Sequence, residues 1–263
     1  MTLSAVVFAT VATLASLGCS NRNEQTPGLG SGSGVRSALV PLDATAKIED
    51  LADASPLQEH MREHFATVSD LQRAIARGHL DVAKQDARWL VEHEEAHQLV
   101  DWTPFVDEMK KAASDVAAAP DLPSAAAVAS RLGRACGRCH EKTNAVVTFE
   151  WEEVPADAPT LQAQMKRHQW AAARLWEGLV GPSDDRWREG ALVLSATQLD
   201  GVAATGSSAP RGDVQALAKR VRELATIAIT TDDHDVRATT YGELLSTCAG
   251  CHALVRPNPV PGP

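Results

Sequence analysis

One pentapeptide pattern, C-x-x-C-H, occurs twice, as CGRCH at 136–140 and CAGCH at 248–252, and together the two copies consume four of the five cysteines. The spacing carries chemistry. Cysteines three apart on a helix share a face, so their sulfurs can form thioethers with the two vinyl groups of one porphyrin. The histidine that follows offers its imidazole to the iron, which is why the pattern reads as a c-type haem attachment site. A zinc ribbon would need its two C-x-x-C pairs roughly 15–20 residues apart, and these are more than a hundred positions apart. A thioredoxin-like redox pair needs neither the adjoining histidine nor a second copy. The chain is therefore expected to carry two covalently attached haem c groups, through Cys136, Cys139 and His140 and through Cys248, Cys251 and His252.

Around the two motifs the sequence repeats itself. Helix signals divide 55–146 into four segments and 160–256 into four more, with each motif close to the end of its repeat and 147–159 as the linker. The expected helices run over about 56–77, 80–96, 104–119 and 123–140, then 160–179, 183–199, 212–230 and 233–254. In the first helix of repeat one Leu57, Met61, His64, Val68, Leu71 and Ile75 follow a heptad-like stripe, and Leu161, Met165, His168, Ala172, Leu175 and Leu179 keep the same steps in repeat two. The motif helices share a stripe as well, Ala129, Leu132, Cys136 and Cys139 against Tyr241, Leu244, Cys248 and Cys251. Abundant alanine and scarce strand-like alternation agree with an all-α fold of two tandem four-helix bundles, each with a C-terminal haem-attachment site.

In an up-down-up-down bundle the end of helix four lies beside the start of helix one. Met61 and His64, and likewise Met165 and His168, are thus candidates for the far side of each iron. The histidines have the stronger claim from burial, since an unpartnered core imidazole is costly. The linker joins the two motif ends and its Val147, Phe149 and Trp151 alternate, so the two haem ends are expected to lie near one another. Trp89, Trp102, Trp170, Trp176 and Trp187 read as core or haem-edge packing, and Arg134 and Arg138 as solvent-facing or propionate-pairing residues.

Residues 3–18 are uncharged and apolar but shorter than the roughly 20 residues a membrane span requires, so 1–18 reads as a signal peptide. Leu17 and Gly18 before Cys19 resemble a bacterial lipoprotein cleavage site, which implies lipidation of Cys19 and a membrane-anchored, exported protein facing the periplasm; Ser20 points to the outer membrane. Residues 19–54 are a polar, Gly- and Ser-rich tether. A net charge of −9 disfavours a nucleic-acid partner.

The arrangement resembles the class II c-type cytochromes, the cytochrome c prime family: helical bundles with C-x-x-C-H near the C-terminus. That resemblance implies proximal ligation by His140 and His252, and, in low-spin members, a first-helix methionine (here Met61 and Met165) as sixth ligand. In five-coordinate members the position is open to gases. A class I cytochrome or a dihaem peroxidase places its Met ligand far downstream of the motif, and no Met follows Met165. His93-Glu94-Glu95-Ala96-His97 matches the H-E-x-x-H zincin motif, but reads as a solvated helix end. The expected function is a dihaem electron carrier with redox partner proteins in the cell envelope, not an enzyme; the alternative is a gas-binding or sensing haem protein.

Overall fold

The computed structural model describes residues 56–96, 99, 102–197, 199 and 210–255. The segments expected to be a signal peptide and a tether, with Cys19, lie outside them. Eight helices follow in chain order: α1 Pro56–Arg77, α2 Leu80–Glu92, α3 Thr103–Ala118, α4 Leu122–Thr143, α5 Leu161–Val180, α6 Asp184–Ala196, α7 Arg211–Ile229 and α8 His234–Val255. No strand occurs among the described residues. Nor is any helix there long and apolar enough to cross a membrane.

Local chemistry sets most boundaries. Gly78 takes φ 87° after α1, and the bonds His79 N–H to Ala74 O and Gly78 N–H to Ile75 O close the helix as a left-handed cap does. Asp121, Thr160 and Ser183 each accept a backbone N–H of the first turn of α4, α5 and α6. Two helices stop earlier than expected. The second ends at Glu92 rather than 96, because His93 turns extended to stack on Trp89 (4.0 Å between rings) and Lys110 binds its carbonyl at 2.9 Å. The sixth ends at Ala196 rather than 199, where Thr197 donates its hydroxyl to Val193 O at 2.7 Å and leaves the helix.

The helices belong to one compact unit in which the repeats share their core. Its seam is the pair α4 and α8; α1 packs more extensively on α8 than on α4, and α5 more on α4 than on α8. Tyr241 of α8 ties both first helices to this seam: its hydroxyl reaches Gln72 Oε1 at 3.1 Å and Ala172 O at 3.2 Å, and its ring stacks on Trp176. Each sequence-marked core stripe is buried from its middle onward, through Val68, Leu71 and Ile75 in α1 and Leu175 and Leu179 in α5.

The pair α4 and α8 runs antiparallel. Glu141 contacts His234, Arg134 contacts Asp235, and Gly242 lies over Ser130. Seventeen residues separate Asp235 from His252, roughly 25 Å of helix at 1.5 Å per residue. The two C-x-x-C-H motifs therefore sit at opposite ends of the seam, and the expectation that they lie together is overturned. The linker explains it. Rather than bridging neighbouring ends, it runs along α5: Phe149 O accepts from Arg186, Glu150 O from Arg174, Glu152 O from the Trp170 indole and Pro155 O from Arg167. An extended chain of that length spans about a helix. Trp151 is exposed (76 %), so the packed alternation expected of the linker ends at Phe149.

Candidate functional site: two motif ends and a histidine cluster

At the end of α4, Cys136 and Cys139 are partly buried and free of any disulfide, as are Cys248 and Cys251 at the end of α8. Burial pushes the Cys136 and Cys248 thiols up to about 12, with the neighbouring cysteine adding to it, and raises Cys139 and Cys251 as well. A redox dithiol needs a lowered thiolate pKa, so these pairs are poorly made for that chemistry. Their separation along the seam also keeps the two pairs from sharing one zinc ion.

The His140 imidazole is held in place. Its Nδ1–H donates to Val180 O at 2.8 Å, so Nε2 is the ring nitrogen that could ligate a metal; burial lowers its pKa, and the hydrogen bond acts in the opposite sense. This contact depends on Gly137 within the motif. A Cβ there would lie 2.4 Å from the Leu179 carbonyl oxygen, so a side chain would force α4 away from the end of α5. Phe149 continues the cluster, since a Cβ on Gly181 would meet its ring at 2.6 Å and the ring packs on Phe65, the neighbour of His64, at 5.2 Å. The start of α1 and the end of α4 thus share a neighbourhood.

His64 and His168 occupy equivalent places, each half-buried, each with an Nε2 atom buried and without a hydrogen-bond partner. Burial lowers both to about 4. Their surroundings differ. After burial, the strongest influence on His168 is the charge of His252, which places it near the second motif. The charges acting on His64 come from His60, Glu95, His93 and Lys110. Met61 and Met165 are half-buried beside them, one turn closer to the helix starts.

The His64 neighbours form a cluster that sequence reading did not assemble. One nitrogen from each of His60, His64 and His93 lies within 4.8 Å of the others. His60, 8 % exposed, donates Nε2–H to Glu95 Oε2 at 3.1 Å, and Lys110 lies 3.3 Å from Glu95 Oε1. His60 and His64 stand one turn apart in the sequence, a visible signal; what joins His93 to them is the early end of α2. The same turn dismantles the zincin reading. His93 is off the helix and residues 94–96 are not helical, so α2 does not carry the motif; His97 lies outside the described residues. His93 and Glu95 are half-buried, not a solvated helix end.

Trp170, Trp176 and Trp187 are core, and Trp89 is a partner of His93. Arg134 and Arg138 are paired within the protein, Arg134 with Asp235 at 2.8 Å and Glu141 at 3.1 Å, and Arg138 with Glu108. They border a surface cleft of about 820 Å³ over the seam, which also holds the paired Arg220 and Glu243. No protein-family model, no curated protein and no solved structure matches this chain.

Proposed function

We propose that the protein is a dihaem c-type cytochrome carrying electrons in the cell envelope, a duplicated four-helix unit of the class II, cytochrome c prime-like kind. On this reading one haem is bound through Cys136 and Cys139 with His140 as proximal ligand, the other through Cys248 and Cys251 with His252. The signal peptide and a lipid on Cys19 would deliver it to the periplasm, tethered to the membrane and facing redox partner proteins there.

The observation that carries the reading is the His140 ring. An iron-ligating histidine is held by its other ring nitrogen donating to a carbonyl or carboxylate, which fixes the tautomer and raises the ligand's basicity, and Val180 O fills that role at 2.8 Å. The thiols support it, being paired at the right spacing, free of disulfides and half-sheltered from solvent. In the second half a buried, unpartnered Nε2 on His168 near His252 is suited to a sixth ligand. Bound haem would supply the one-electron couple of its iron; these residues hold the ligand field, and the surrounding helices exclude water. With the motifs at opposite ends of the seam, each haem would meet its partners at its own end.

A second reading, gas binding at one iron, is favoured at the first half alone. There His64 faces His60 and His93, which leaves Met61 or an open position opposite His140.

The test is stoichiometry. The exported protein should carry two haem additions by mass, with Cys136→Ala/Cys139→Ala and Cys248→Ala/Cys251→Ala each removing one. A colourless wild-type protein with no mass addition would sink the reading.

A further inference from the structure

We propose that His60, His64 and His93 form a binding site for one divalent transition-metal ion of the zinc class, with ligands distinct from those of either proposed haem.

The geometry is close to what such an ion needs. Ligand nitrogens about a tetrahedral zinc at 2.0–2.1 Å are roughly 3.4 Å apart, and here the three lie within 4.8 Å of one another. Closing the set takes little more than an ångström, within reach of side-chain rotation. His60 and His64 are one helical turn apart on α1, so one rigid element supplies two ligands. The third comes from the extended residue that ends α2.

The supporting residues have the character of a metal site's outer shell. Glu95 accepts from His60 and brings the negative charge a dication requires; Lys110 balances that carboxylate when no ion is bound and also holds the His93 carbonyl. The Trp89 ring stacks on His93 and fixes its plane. Buried imidazole nitrogens are normally satisfied, and His64 Nε2 is buried with no partner. Three neutral imidazoles with a carboxylate beside them suit zinc or copper rather than magnesium or calcium, which prefer all-oxygen shells. Repeat two cannot make the site: Gln164 and Thr197 stand where repeat one has His60 and His93.

The test uses the haem-bearing protein, stripped of loose metal and titrated with Zn²⁺, with zinc and iron counted together. One zinc per chain is expected, with the iron count unchanged, and a zinc-edge absorption spectrum dominated by imidazole scattering. Replacing a ligand with its repeat-two counterpart, His60→Gln or His93→Thr, should weaken binding at least tenfold while helical circular dichroism is preserved; His79→Gln, at the opposite end of α2 from His93, should leave it intact. The proposal is overturned if wild type retains no zinc, if the spectrum shows sulfur ligands, if both substituted proteins bind as wild type does, or if His79→Gln abolishes binding. Because the spectrum is read on wild type, a variant that misfolds does not rescue the idea. Loss of the zinc site would leave the haem count untouched, so the two proposals fail separately.

Discussion

His64 and His168 hold the same register on equivalent helices, and their Nε2 atoms are equally buried and unpartnered. One faces two further histidines, the other the second C-x-x-C-H motif. The difference arises outside the repeated stripe, at the positions one turn before it and just past the second helix. There repeat one has His60 and His93, and repeat two has Gln164, which is tied to Asp157 and Ala158 O at 2.8 and 2.7 Å, and Thr197. The repeat supplies two matching imidazole positions, and their neighbours give them different surroundings. A stripe of core residues thus fixes where a side chain points, while its function is set by what packs across from it.

The sharpest way to break this comparison is to remove each imidazole. On the haem reading, His168→Ala should open the second iron, so that the reduced protein binds one additional equivalent of carbon monoxide, whereas His64→Ala should leave carbon monoxide uptake at its wild-type level. Equal responses from the two variants, read in the absorption spectrum, would erase the distinction between the halves.

The pH dependence tests the burial that the two positions share. A histidine whose folded pKa is about 4 against an ordinary 6.5 binds its proton more readily when unfolded. Its contribution is fully present above 6.5 and lost as pH falls towards 4. That gap, at roughly 1.4 kcal/mol per pH unit and reduced for partial exposure, makes about 2 kcal/mol per ring. Glu177, pushed up to about 7 by burial, acts in the opposite sense, since its stabilisation is lost as pH rises through the same range. The measurement is therefore a difference. In chelator-treated protein, urea unfolding of His64→Gln at pH 7 and at pH 4.5 should differ by about 2 kcal/mol less than in wild type. An unchanged difference would mean that His64 is solvated.

Within the motifs the halves diverge at Gly137, whose counterpart is Ala249. Gly137→Ala should cost about 1–3 kcal/mol, the usual range for overpacking a tight contact, and should loosen the His140–Val180 hydrogen bond. Ala249→Gly should cost about 1 kcal/mol, the helix-propensity difference. Thermal unfolding of both variants reads the contrast, and equal costs would remove Gly137 from its positioning role.

Much of this was legible in the sequence, and the failures have a common cause. Helix number, most helix bounds and the core stripes follow from spacing and local chemistry, which act within a few residues. The assembly of halves does not. Nothing in the stripes says that α1 will pack on α8 in preference to α4, because both partners offer an apolar face of the same period; the hydroxyl of Tyr241 in α8, which reaches Gln72 of α1, is visible only in the folded chain. The linker misled for a similar reason. Its alternation was visible, but the arginines and the tryptophan that bind its carbonyls lie on α5 and α6, up to 37 positions away. His93 was misread because nothing in its local sequence stops α2; Trp89 and Lys110 do so from the side.

The smallest expected effect lies at the rim of the first motif. Arg134 joins Asp235 and Glu141 there, and Glu141 also meets His234, so four charged or titratable groups knit the end of α4 to the start of α8. The equivalent of Arg134 in repeat two is Ser246, and that of Arg138 is Gly250, so the second motif end lacks both arginines. Asp235 is largely exposed, and an ion pair with one wet partner contributes roughly 0.2–1 kcal/mol, less as salt rises. Arg134→Ser should therefore cost less than about 1 kcal/mol in low salt, and urea unfolding repeated at 1 M salt should shrink the difference from wild type. A cost that persists in high salt would assign Arg134 to packing through its aliphatic stem, and the contrast between the two motif ends would then be one of shape rather than charge.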